Sequence, residues 1–247
     1  MQNTTHRTRR TILDDRLYAV VYCPPTDEEA NTAVDTLPFT KKYAQQAAEI
    51  HIEGQPRTFL TRLGPEVLAC LYEAMAESPL VIGKVIVDGD RVAVIAIASQ
   101  DTNRMFSDIK WHHWHRLAWP MIKQFLRSPS ILIDIWQNIR YPVKLGAPDN
   151  EAEILFLGMR REYMRHGIAP RLGIEILNEW HERGGCLTAS AVIDKRNRAM
   201  RWTVATIPGA RLENEVTING RTMAVYRADL PLELPVEKTD TRKEVFG

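Results

Sequence analysis

Apolar residues recur along this chain in three rhythms, and each rhythm predicts an element. From Ile154 to Met159 the apolar run is nearly unbroken, as in a strand buried on both faces. Ala169, Leu172, Gly173, Ile176, Leu177 and Trp180 then recur at i, i+3, i+4, i+7, i+8 and i+11, which is one stripe of a helix. Pro170 marks the start of that helix, His181 and Arg183 sit in its last turn, and Gly184 ends it. A second apolar strand follows from Cys186 to Asp194. Runs on either side of Asp88-Gly89-Asp90 (Leu80 to Val87, Arg91 to Ala98) predict a hairpin, and runs on either side of Asn219-Gly220 (Arg211 to Ile218, Thr222 to Ala228) predict another.

The remaining segments read more coarsely. Arg16 to Tyr22 is expected as a first strand, ended by Cys23-Pro24-Pro25. Helices are expected over Thr40 to Ile52, Pro65 to Glu77 and Asn197 to Ala205. A long helical section over roughly 103–141 is expected to break at Pro120 and near Ser128-Pro129. Gly146 to Asn150 reads as a loop, and the polar tail of 231–247 as frayed. The pattern predicts a single α/β (mixed α+β) domain over 1–247, with helices on both faces of a mixed, mostly antiparallel sheet.

The strand-to-helix junction is where chemistry enters. Gly167-Ile168-Ala169 offers no Ser, Thr, Asp or Asn as a helix N-cap, so the first amides need another acceptor. Gly167 would let a phosphate approach the backbone, and the helix dipole favours negative charge there. Arg161, Arg165 and Arg171 flank the turn. From the residues alone, an anion site and an ordinary turn whose amides bond water stand side by side.

Y-M-R-H-G-I-A (163–169) resembles the acetyl-CoA pyrophosphate loop of the GNAT N-acetyltransferase superfamily, whose usual form is Arg/Gln-x-x-Gly-x-Gly/Ala. Gly167 and Ala169 fill its last two defined positions, and Met164 stands where Arg or Gln is usual. The resemblance implies that the amides of Met164, Arg165, His166, Gly167, Ile168 and Ala169 hold the pyrophosphate of acetyl-CoA. A-E-I-L-F-L-G-M (152–159) resembles the family's central strand, which splays from its neighbour. Leu157, Gly158 and Met159 would then meet the pantetheine arm, and an amide near Met159 would stabilise the thioester oxygen. Asn197 matches the Asn that often follows the family's fifth strand. The segment 51–64 also resembles an early helical region of one bacterial branch, and 103–141 is an insertion relative to the minimal fold.

The implied activity is acyl-CoA-dependent transfer, acetyl most readily, to a primary amine by direct attack. The alternative is a CoA-binding regulatory or structural domain without turnover. Glu153 occupies the position that resembles the glutamate base of histone-acetyltransferase members, and a carboxylate at the start of a buried strand would have a raised pKa. It also reads as a solvated strand-edge residue. Val204 stands where the family often places the tyrosine that protonates the thiolate, and Tyr226 on the last strand has no motif behind it. Cys186 reads as a buried structural residue, since a nucleophile would need an activating base.

Composition narrows the partners. A net charge of +1 gives no bulk signal for nucleic acid, so none is expected. Three dispersed cysteines make no disulfide framework or zinc pattern. No apolar signal core follows the basic N-terminus and no run of 18 apolar residues occurs, so a cytoplasmic location is expected. No metal site is expected. His112, His113 and His115 put at most two imidazoles on one helical face. The series Trp114, Ala118, Met121, Ile122 and Phe125, with interspersed basic residues, reads as core packing or a homodimer contact. A substrate lid and an interfacial membrane element are further readings of it. The basic run 194–201 would meet CoA phosphates or face solvent.

Overall fold

The computed structural model describes residues 36–56, 58–128, 150–164, 168–218 and 220–234. The expected strand at 16–22 and the end of the helical section at 129–141 lie outside these, as do Arg165, His166 and Gly167. Among the described residues the strands are β1 (Thr36–Pro38), β2 (Val81–Asp88), β3 (Arg91–Ser99), β4 (Glu151–Met159), β5 (Thr188–Asp194), β6 (Arg211–Ile218) and β7 (Arg221–Asp229). The helices are α1 (Ala44–Gly54), α2 (Phe59–Arg62), α3 (Pro65–Glu77), α4 (Thr102–His112), α5 (Trp114–Arg127), α6 (Ile168–Gly184) and α7 (Arg198–Ala205). One sheet runs β1-β2-β3-β4-β5-β7-β6. Every neighbouring pair is antiparallel except β4 and β5, which are parallel.

Both faces of β3 are buried, whereas β4 from Ile154 to Met159 is half-buried apart from Phe156, and packing on both sides explains their apolar runs. Ile95, Ile97 and Phe156 face a layer made by Ile50, Leu68, Tyr72 and Met75, with Met105 and Ile109 of α4. Val94, Ala96, Ala98 and Ala152 face Leu172, Ile176 and Trp180 of α6. We call these the α1/α3 face and the α6 face. Small residues line the α6 face because the large apolar stripe of that helix fills the space from the other side.

The pairing of β4 positions the site. Ile97 pairs with Phe156 and Ala98 with Ile154, so Leu155 is an extra residue opposite β3. A bulge of this kind bends its strand and raises the local twist. On the other edge, β4 pairs with β5 only from Glu151–Thr188 to Ile154–Ala191. Beyond Ile154 the two parallel strands separate, and the backbone edge of 155–159 that faces β5 has no strand partner among the described residues.

Several expectations need correction. Pro120 does not break the insertion. The chain turns at His113, between α4 and α5, and Pro120 lies inside α5. An interior proline costs about 3 kcal/mol of helix propensity, and packing offsets it. Leu117 and Met121 pack inward, Gln124 Nε2 donates to the Arg62 carbonyl at 2.9 Å, and Arg116 and Lys123 pair with Glu77 and Glu66. The expected helix from Thr40 begins as a 3-10 turn, Lys41–Tyr43, ahead of α1. The tail is not frayed at its start. Asn178 donates to the Leu232 carbonyl and accepts from its amide, and Leu232 is buried. The short β1 and α2 had no periodic signal to betray them.

Candidate functional site

The separation of β4 from β5 opens a cleft of about 430 Å³. Its walls come from the α1–α2 loop (Gln55, Pro56, Thr58), β4 (Ile154 to Leu157), β5 (Ala191 to Asp194), the start of α7 (Asn197, Met200) and β7 (Arg221, Met223). A smaller, almost wholly apolar groove on the α6 face adjoins it, lined by Leu177 and Gly173 of α6, Val204 of α7, and Tyr226. The two share Ile154, Leu157, Ala191 and Met200. The groove and the cleft therefore adjoin at the parted strands.

Some of the sequence-derived residues come together here and others do not. Leu157 and Asn197 line the cleft. The Asn197 carboxamide oxygen also caps α7, accepting from the Met200 amide at 3.1 Å. Gly158 and Met159 do not line it. They pair with Ile95 and Val94 of β3 on one edge, and their other edge belongs to the unpaired stretch of 155–159. Gly158 has a packing reason to be glycine, because an added Cβ would lie 2.5 Å from the Phe156 ring. Met164 follows a 3-10 turn, Arg161–Tyr163, and its side chain is exposed. Ile168 opens α6, and Ala169 is buried against the α6-face core. Pro170 falls in the first turn, as the pattern required.

Glu153 is half-buried. It lies in β4 between Ser99 and Ser190, and the Thr102 hydroxyl donates to its carboxylate at 2.5 Å. Burial pushes its pKa above the usual carboxylate range, the Thr102 hydrogen bond opposes that, and the charge of Glu151 adds to it. The side chain is one residue before the cleft floor and does not itself line the cleft. Asp194, within the cleft, is the opposite case. Arg196 donates to it from its backbone and guanidinium, Arg221 pairs with it at 2.8 Å, and the Arg196 hydrogen bond leads in holding its pKa low. The two carboxylates are thus shifted in opposite directions, Glu153 up and Asp194 down.

Three cleft residues had no individual place in the sequence reading, although Thr58 and Asp194 fall within the segments 51–64 and 194–201. Thr58, Asp194 and Arg221 reach the cleft from separate elements and carry no local motif. Tyr226 reaches the groove with its hydroxyl accepting from Arg201 Nε at 3.3 Å, while Val204 is packed into a core cluster. The histidine run builds no ligand set. His112 Nδ1 faces the Asp108 carbonyl, and no cluster of three or more His, Cys, Asp or Glu among the described residues is placed to hold a metal ion.

Behind Thr58 lies a buried polar pair. The Tyr72 hydroxyl and His51 Nδ1 are 2.7 Å apart, and the His51 ring stacks on Phe156 at 4.8 Å. Burial pushes the His51 pKa down from 6.5 to about 4, so the imidazole is neutral at pH 7. Because the folded value is the lower one, its contribution is intact above pH 6.5 and is lost as pH falls from there toward 4. The full loss is about 3 kcal/mol. Urea unfolding at neutral and mildly acid pH should show a steeper loss for the native chain than for His51→Gln. Equal slopes would remove His51 from the acid response.

No family model matches the sequence, and no curated protein matches it. Solved structures do match the fold. An N-acetyltransferase from Staphylococcus aureus Mu50 aligns with a TM-score of 0.52 at 12% identity, over 78% of this chain and 100% of that one. Arabidopsis thaliana NAA60, solved in complex with acetyl-CoA, aligns at 0.50 and 12%, over 79% of this chain and 98% of that one. A Desulfovibrio desulfuricans protein assigned to the GNAT family aligns at 0.50 and 11%, over 80% and 99%. The chain has the GNAT acetyltransferase fold.

Proposed function

We propose that this chain transfers an acyl group, acetyl in the first instance, from acetyl-CoA to a primary amine by direct attack. The observation that carries the reading is the separation of β4 from β5 beyond Ile154, which joins the apolar groove to the cleft. The free strand edge of 155–159 suits an extended pantetheine arm, whose amides would add to β4 as a further strand would. The amides of 164–169, the segment that resembles the pyrophosphate loop, would take the pyrophosphate. The thioester would lie in the parting between the strands, and the amine would enter from the Thr58 and Asp194 side.

The chain's own groups would then move the protons. The neutral amine nitrogen bonds to the thioester carbon, and the oxygen gains charge that a β4 amide stabilises. The tetrahedral nitrogen gives a proton to the Glu153 carboxylate through a water that enters from the cleft. The carbon–sulfur bond breaks, and the thiolate takes the proton of Tyr226, which fills the role left open by Val204. Glu153 and Tyr226 return to their starting states by exchange with solvent.

Calorimetry and thiol release against a panel of primary amines test this together. Acetyl-CoA should bind saturably. Gly173→Leu should weaken it by at least about tenfold, because the leucine fills the groove where the arm would lie. Gly173 is buried, so thermal unfolding of the variant is measured alongside, and the affinity comparison holds for the folded variant. Unchanged affinity in that variant would overturn the groove assignment. Saturable binding with no amine accepted would instead favour the binding domain without turnover. Tyr226→Phe at full activity would remove Tyr226 as the acid.

A further inference from the structure

We propose that the outward face of α4 and α5 docks on an anionic lipid bilayer. The inward face of α5 is fully accounted for by Leu117, Met121 and Gln124, packed or bonded to α2 and α3. A narrow basic stripe follows, with Arg116 on Glu77 and Lys123 on Glu66. Beyond it, Trp114, Ala118, Ile122 and Phe125 recur at i, i+4, i+8 and i+11, with Trp119 and Leu126 beside them. That side faces solvent. Trp119 is 64% exposed, Leu126 74%, and Trp111 at the end of α4 69%. So dense a patch of exposed aromatic and aliphatic side chains marks an interaction surface.

Charge selects the occupant. From Ile109 to Arg127 there is no Asp or Glu, while Lys110, Arg116, Lys123 and Arg127 accompany three histidines. The whole chain carries only +1, so this positive character is local. A two-fold contact with a second copy would set these cations against their own equivalents. Arg116, Lys123 and Arg127 pair with Glu77 and Glu66 along one rim of the face, and an anionic headgroup layer would meet Lys110 and add to those rim pairs. Lys110 Nζ lies 5.5 Å from the Trp111 ring centre and Lys123 Nζ 5.8 Å from that of Trp119. Tryptophan rings beside ammonium groups suit the headgroup boundary, where an apolar ring and a charged tip are both accommodated. No described helix is long and apolar enough to cross a membrane, so α5 would lie in the interface plane. α5 also braces α2, whose N-cap Thr58 lines the cleft, so docking would bring the cleft mouth close to the bilayer.

The full chain should be tested by co-sedimentation and tryptophan fluorescence with vesicles containing phosphatidylglycerol and with pure phosphatidylcholine vesicles. We expect sedimentation and a blue shift with the anionic vesicles, weakened about tenfold or more by their replacement or by high salt. Trp114→Ser/Ile122→Ser/Leu126→Ser should keep its thermal unfolding and lose vesicle binding. The proposal is overturned if the native chain stays in the supernatant, the outcome expected were the face covered by another part of the chain. It is overturned equally if the triple variant binds as well, or if the variant instead abolishes a concentration-dependent dimer while vesicles go unbound. Acetyl-CoA binding is read separately, so failure here leaves the transfer reading untouched.

Discussion

Glu153→Gln is expected to leave acetyl-CoA affinity within about twofold and to lower transfer by about 10²–10⁴-fold at neutral pH, the range for loss of a general base. Glutamine keeps an acceptor for the Thr102 hydroxyl, so the fold around β4 should hold. Part of the rate should return at higher pH, where the amine arrives already neutral. The native profile supplies a second check. Burial raises the Glu153 pKa, and the base must be ionised to act, so activity should rise with pH through a value above the usual carboxylate range. Full transfer by Glu153→Gln on a confirmed acceptor would take Glu153 out of the mechanism.

Arg227→Met is expected to destabilise the fold by about 3–5 kcal/mol, the cost of leaving a buried charge without its partner. Glu151 and Arg227 are 5% and 10% exposed, and Arg227 Nε lies 2.5 Å from the Glu151 carboxylate. Arg227 also pairs with Glu213, and Thr188 Oγ1 lies 3.5 Å from the same Glu151 oxygen. This pair fastens β4 to β7 across β5, at the end of β4 where the parallel strands still touch. It holds the closed end of the parting. Adding Glu151→Gln should return much of the loss, because the stranded anion is then removed. Urea unfolding decides the matter. A single-variant loss below about 1 kcal/mol would mean that water solvates Glu151 in place of Arg227.

How much of this was legible in advance follows from the range of the forces involved. The runs in β4 and β5 and the stripe of α6 are nearest-neighbour patterns, and all three elements form where the pattern put them. Asp88-Gly89-Asp90 closes the first hairpin because Gly89 takes a φ of +59°, which glycine adopts without strain. Asn197 begins α7 because its side chain accepts an amide three residues on. Such signals are written locally. Pro120 is also a local signal, and there it misled, because packing on α2 and α3 outweighs the helical preference of one residue.

The sequence by itself determined β2 to β7, the long helices, the hairpins and the junction from β4 to α6 that first pointed to an anionic ligand. Only the tertiary structure decided where the parallel strands part, since a bulge at Leu155 exists only relative to the register of β3. It alone brought Thr102 to Glu153 across 51 residues and Arg227 to Glu151 across 76. It paired Gly158 and Met159 with β3 while leaving the other edge of 155–159 without a strand partner among the described residues, and it left the tryptophans of α4 and α5 facing outward. The physical reason is the same throughout. Periodicity and capping depend on residues a few positions apart, whereas the pKa of Glu153, the shape of the cleft and the exposure of a helix face depend on what the folded chain sets beside them.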